Sequence, residues 1–312
     1  MYGALLAVAA FVGGLLAVQT SVNLQLNGAV KTPYGASTVQ LGVATALLAV
    51  VAIAVGTIGA VGHVPDAPWW HLLGGLASPF YITSGVLLFP RLGALAAVAL
   101  FVAGQMFASL ALDLSGLLGV PRRSVTVAIV LGAAAVLGAI FVIIRQPRST
   151  EVAPRRYFDG PRAAAWIILG VAAGAVLPVQ GAINANLRQD LNAPITVAMI
   201  SFAVATVLIT IVLLILLATG RTPIPQFRAL GTMPWWGWLG GACAATYVTA
   251  TFLLIPRIGA ATTVALTVTG QQVFSAVIDS RGLFRMSRRP LTRSRMCGLA
   301  LLIAGSALVQ LG

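Results

Sequence analysis

Acidic residues are scarce in this chain, with six Asp and Glu among 312 residues against 19 Lys and Arg. Charged residues of both signs amount to 8% and hydrophobic ones to 59%, which is too little charge to solvate a globular surface. A soluble enzyme is therefore excluded, and lipid is the expected solvent. Of the six carboxylates, Asp66, Glu151, Asp159 and Asp190 read as loop residues. No glutamate stands deep in an apolar run, where desolvation would tune it for trading protons against hydrophobic cations. Cysteine is nearly missing too. Cys243 and Cys297 lie within or at the edge of apolar segments without CxxC spacing, so they read as packing residues. His63 and His71 have no metal-ligand pattern. No metal, cofactor, nucleotide motif or nucleophile constellation appears at matched spacing, and the chain is not expected to be an enzyme. The net charge of +13 raises the question of nucleic acid, but the arginines sit between apolar stretches rather than on a recognition element. They read as topology signals.

What the chain does have is long apolar runs. Crossing about 30 Å of hydrocarbon takes roughly 17 to 25 residues, and ten runs come at or near that length, the last of them short: 3–26, 36–60, 70–89, 93–112, 124–144, 164–187, 195–218, 235–254, 259–278 and 296–311. The predicted fold is an all-α integral membrane protein of ten transmembrane helices. Residues 1–26 lack the basic start of a signal peptide, and their polar motif returns within the chain, so they are expected to stay.

The chain repeats itself. Gln19, Asn23, Leu26 and Pro33 recur as Gln180, Asn184, Leu187 and Pro194, at an offset of 161. After a five-residue insertion, Pro68-Trp69-Trp70, Gly74-Gly75, Tyr81, Pro90-Arg91, Gly104-Gln105, Ser109, Asp113 and Gly116 recur as Pro234-Trp235-Trp236, Gly240-Gly241, Tyr247, Pro256-Arg257, Gly270-Gln271, Ser275, Asp279 and Gly282. This divides the chain into a first repeat, 1–145, a Pro/Arg-rich linker, 146–162, and a second repeat, 163–312. Five spans per repeat force the second copy upside down relative to the first, the inverted arrangement of secondary transporters.

Arginine placement checks that reading. With alternating spans, four basic residues fall on the N-terminal side and 15 on the other. The richer side is cytoplasmic by the positive-inside rule, leaving both termini extracytoplasmic. Equivalent loops differ in the same sense: Asp113 to Arg123 holds two arginines, whereas Asp279 to Arg295 holds six. The run 281–295 reads as a solvated loop facing anionic headgroups.

The runs VQTSVNLQL and VQGAINANL, the two PWW-x-x-LGG elements, PRLGA and PRIGA, and GQ…S…D…GL resemble the YdcZ family of the drug/metabolite transporter (DMT) superfamily, in its fused two-repeat form. The resemblance covers both halves and implies an inner-membrane carrier with antiparallel halves, its substrate undefined. The halves are not equivalent, since Met106 stands where the second half has Gln272.

Polar side chains in hydrocarbon are costly and mark cavities or helix contacts. Gln19 and Asn23 share one helical face, as do Gln180 and Asn184. Four amides converging near the pseudo-two-fold axis would suit a neutral or zwitterionic group better than a bare cation; they would otherwise hold helices together. Gln105 and Gln271 extend this set, with Ser109 and Ser275 below them and Tyr81 and Tyr247 as candidate aromatic walls. Asp113 and Asp279 are expected at helix ends where water is close, to cap free amides in the turns beside Gly116 and Gly282, with an arginine as partner, or to couple protons. Arg91 and Arg257 are interface anchors or gates. Trp69, Trp70, Trp235 and Trp236 read as belt anchors. The function expected is secondary-active transport of small metabolites or drug-like compounds by alternating access. A non-transporting scaffold or subunit and a lipid-headgroup flippase are the alternatives. Expected partners are a small-molecule substrate and the bilayer, with a homodimer left open and no nucleic acid.

Overall fold

The computed structural model describes residues 2–120, 122, 124–144, 161–258 and 260–311. Among these, ten α-helices run in order: α1 Tyr2–Val30, α2 Pro33–Ala54, α3 Ala77–Leu92, α4 Ala94–Ser115, α5 Val127–Ile144, α6 Pro161–Leu191, α7 Pro194–Ala218, α8 Leu239–Ile258, α9 Ala260–Arg281 and α10 Arg293–Leu311. No strand occurs among the described residues. Among the described residues, six segments are long and apolar enough to cross a membrane, namely α1, α2, Trp69–Leu92, α4, Ala164–Leu191 and α7.

The helix ends follow local chemistry. Pro33 and Pro194 occupy the first turns of α2 and α7, where a missing N–H costs nothing. Gly116 follows α4 at φ 69° and Gly282 follows α9 at φ 64°, the left-handed ending that glycine permits without a Cβ clash. Several expected spans are corrected. The run 36–60 stops as a helix at Ala54, and a 3-10 stretch, Ile58–Asp66, interrupted by Pro65, follows it. The PWW-x-x-LGG elements are also not α-helical at first: Trp69–Leu76 and Trp235–Trp238 are 3-10 segments leading into α3 and α8. Most of the expected linker 146–162 lies outside the described residues, but its last two residues already belong to α6. Asp190, expected in a loop, sits in the last turn of α6.

The core is centred on α4, whose residues from Ala94 through Gly104 are all buried. It packs on α6 and α9, and the remaining large contacts join α1 to α9 and α8, α2 to α7 and α5 to α10. Close approach depends on glycine. A Cβ on Gly13 would overlap the Thr267 carbonyl and one on Gly270 the Ala10 carbonyl, where α1 meets α9. A Cβ on Gly104 would overlap the Val171 carbonyl and one on Gly174 the Phe101 carbonyl, where α4 meets α6. Gly13 and Gly174 are 161 residues apart and Gly104 and Gly270 are 166 apart, so the two crossings are copies of each other.

Other ties are also duplicated. Gln25 donates to the Phe284 carbonyl at 2.9 Å, and Asn186 donates to the Leu118 carbonyl at 3.0 Å. Each acceptor is a non-glycine residue at φ 55° in the turn after α9 or α4, so an amide from another helix holds each strained turn in place. Thr45 on α2 meets its own counterpart, Thr206 on α7, at 3.1 Å.

Candidate functional site

Gln19 and Asn23 lie one turn apart on the inner face of α1, and both are buried. The Asn23 amide donates to Gln40 Oε1 at 3.2 Å, joining α1 to α2. Its counterpart Asn184 donates to Ser201 Oγ at 3.1 Å, joining α6 to α7. Gln40 and Ser201 are themselves 161 residues apart, so the clasp is duplicated with a different acceptor in each half. Both Asn Oδ1 atoms are buried without a hydrogen-bond donor. A Cβ on Gly240 would overlap Asn23 Oδ1, and one on Gly74 would overlap Asn184 Oδ1. The Gly-Gly pair of each PWW-x-x-LGG element thus makes room for an asparagine from the other half, with only weak C–H donors opposite it.

Between these clasps lies a cavity of about 160 Å³. Gln19 and Leu16 of α1, Gln180, Gly181 and Asn184 of α6, Ser78, Tyr81 and Ile82 of α3, Phe202 of α7, and Ala244, Tyr247, Val248 and Thr251 of α8 line it, with Leu177. Five of the expected residues, Gln19, Gln180, Asn184, Tyr81 and Tyr247, are thereby brought together. Asn23 is not among them, although its counterpart Asn184 makes the equivalent clasp and does border the cavity. Gln180 Nε2 donates to Ser78 Oγ at 2.8 Å and to Ser201 Oγ at 3.3 Å. Across the cavity, Ala244 occupies the position equivalent to Ser78, 166 residues on. Gln19 Oε1 is left buried with no partner. The two glutamines are equivalent in sequence and unlike in chemistry.

The second expected constellation divides. Gln271 is buried and donates to the Tyr81 hydroxyl at 3.1 Å, fixing one cavity wall, while Tyr81 packs beside Phe101 at 4.9 Å between ring centres. Gln105 and Ser109 are half-buried outside the cavity lining. Ser275 is buried, also outside the lining, and donates to the Gln272 carbonyl one turn back at 2.7 Å.

Asp279 corrects the expectation of a carboxylate near water, for it is fully buried. It does cap amides, but not those of its own turn. Oδ1 accepts from Ala94 N–H at 2.8 Å and Oδ2 from Leu95 N–H at 3.1 Å, the first amides of α4. Helix N-termini concentrate unpaired donors and positive potential, which a carboxylate satisfies. Arg295 completes the site at 3.2 Å from Oδ2. Arg289 donates to the Leu92 carbonyl just before the same helix start. The run 281–295 is therefore not wholly a solvated loop, because two of its arginines turn inward. Asp113, the counterpart of Asp279, is half-buried.

Arg91 and Arg257 stand away from the cavity. The Arg91 guanidinium lies over the Trp166 ring at 4.4 Å, a cation–π contact between α3 and α6, whereas Arg257 is exposed. Trp69 and Trp235 are 73% and 75% exposed, as belt positions require. Cys243 is buried and Cys297 exposed, so only the first packs inside the protein. Sequence reasoning also missed a pair present in one half only, in which His71 Nδ1 meets Asp190 Oδ2. No group of three metal-ligating side chains occurs among the described residues.

A family model described as "Putative inner membrane exporter, YdcZ" matches residues 4–142 and again 165–308. The chain belongs to the YdcZ family. Both matched blocks contain the Asn clasps, the Gly-Gly pairs and the cavity glutamines. YdcZ membership, with the apolar helices, makes this a multi-pass inner-membrane transport protein of the DMT type rather than a member of an enzyme family. No curated protein matches the chain. A solved structure described only as "Crystal structure of protein" matches with a TM-score of 0.61 and 14% identity, over 98% of this chain and 97% of that one. That likeness shows the shared fold.

Proposed function

We infer that this YdcZ-family chain is a secondary-active carrier working by alternating access, with the cavity between the clasps as its substrate site. The observation that carries the reading is that Gln19 and Gln180, 161 residues apart, face one cavity from two different halves. Substrate sites of inverted-repeat transporters lie at such a seam. The repeats are 1–145 and 163–312, joined by the cytoplasmic linker 146–162, and all ten helices cross the bilayer. Inversion is supported by helix direction. Helix α1 meets the middle of α9 near Gly13 and the turn just past the end of α9 at Gln25, so contacts advance along both helices together and these two run the same way. Helix α6 runs with α4 for the same reason. Asp279 at the end of α9 meets the beginning of α4, so those two run oppositely. Arginine placement puts both termini outside. The family description favours export.

A scaffold has the same packing but no water in the cavity. A side chain at Gly181 would meet open space, so Gly181→Cys in a background lacking Cys243 and Cys297 is expected to fold and to react with a water-soluble maleimide. No reaction in folded protein would remove the carrier reading. Tags on Met1 and Gly312 that both report from the cytosol would remove the topology. A headgroup flippase draws no support here, since Arg91 and Arg257 are both outside the cavity.

A further inference from the structure

We propose that the cavity takes an uncharged small molecule, about the size of one aromatic ring, that presents an N–H or O–H donor to Gln19. The proposal rests on the carrier reading and names its substrate class. Its first support is the lining: among the described residues no Asp, Glu, Lys, Arg or His borders the cavity. A cation, anion or zwitterion would lose hydration there and find no counter-charge to replace it. This narrows the sequence-level expectation, which admitted zwitterions.

The second support is the state of the polar atoms. Gln180 spends both amide protons on Ser78 and Ser201, and Tyr81 already accepts from Gln271. Gln19 Oε1 and Asn184 Oδ1 are the contrasting atoms. Both are buried and unpartnered on residues that border the cavity, but Asn184 Oδ1 is packed against Gly74, which leaves Gln19 as the acceptor open to a guest. An acceptor left so is costly, and a guest whose donor draws the Gln19 amide round toward the cavity recovers that cost. Leu16, Ile82, Leu177, Phe202 and Val248 make much of the remaining lining apolar. The volume of about 160 Å³ is close to that of cavities, about 150 Å³, known to admit benzene. An apolar ring bearing one donor group fits all three facts.

A series on one ring tests this with purified full-length protein: benzamide, the near-isosteric benzoate and benzamidinium, and the bulkier donor-free N,N-dimethylbenzamide, read by ligand-observed NMR and thermal shift. Benzamide is expected to bind about tenfold or more tightly than either ion, which corresponds to about 1.4 kcal/mol. Gln19→Leu should weaken benzamide by a similar factor and leave the dimethyl compound unchanged. Ala244→Phe, which fills the cavity, should abolish benzamide binding. If benzoate or benzamidinium binds as well as benzamide and is lost on Ala244→Phe, the neutral class is wrong and the cavity stands. If Gln19→Leu has no effect on benzamide that Ala244→Phe abolishes, the donor requirement is wrong. If benzamide binds the Ala244→Phe variant unchanged, the cavity assignment itself fails. If none of the four binds at millimolar concentration, the ring-sized class is overturned.

Discussion

Gly270→Leu is expected to abolish folding, and Gly270→Ala alone to cost about 1–3 kcal/mol or more. The reason is what an added carbon meets. At Gly270 it overlaps the backbone carbonyl of Ala10, and at Gly13 the backbone of Thr267. A side chain could rotate away, but a carbonyl inside a helix cannot. The only relief is to push α1 and α9 apart, which empties contacts along both helices. The same holds for Gly104 and Gly174 between α4 and α6. Gly42 is the control, because a side chain there meets nothing, and Gly42→Leu should leave stability unchanged. Coupling adds a sharper test. Gly13→Ala with Gly270→Ala should cost clearly less than the sum of the two, since one methyl has already separated the helices for the other. Gly13→Ala with Gly174→Ala, at separate crossings, should add. Strict additivity within one crossing, measured by reversible unfolding in mixed micelles, would contradict this packing.

Asp279→Ala should rank next, losing about 3–5 kcal/mol. Interhelical hydrogen bonds in membranes average only about 0.6 kcal/mol, so the size of this loss needs a cause beyond bond counting. The cause is charge. Removing the carboxylate leaves the Arg295 guanidinium and the α4 N-terminus facing each other, both positive, around a site with no exposure. Asp279→Asn keeps an acceptor for one amide and should lose less. Combining Asp279→Asn with Arg295→Met should recover part of the loss, because no unpaired charge is then left. A double variant no more stable than Asp279→Asn would show that Arg295 contributes nothing, and the capping amides alone would carry the effect.

The helical architecture was legible because its cause is local: apolar runs of bilayer length, with Pro33 and Pro194 opening helices and Gly116 and Gly282 closing them. The 3-10 segments were hidden. Trp69–Leu76 is as apolar as the helix it leads into, and hydropathy carries no information on hydrogen-bond register. Matching identical residues between halves found the cavity glutamines and the tyrosines. It could not find Gln40, whose equivalent is Ser201, or Ser78, whose equivalent is Ala244. The partners of Asp279 were also out of reach beyond the expectation of an arginine. Its amides belong to Ala94 and Leu95, 185 and 184 residues away, and no spacing rule connects them. His71 and Asp190 lack counterparts, so a search by repetition passes over them.

Ser78 and Ala244 carry a further consequence. Were the protein assembled from two copies of one short gene, any change on one wall would appear on the other, and a bound molecule could sit either way round with equal energy. Joined in a single reading frame, the copies mutate independently. One hydroxyl gained or lost makes the two walls unlike and, on the proposed carrier reading, gives a bound molecule a preferred heading.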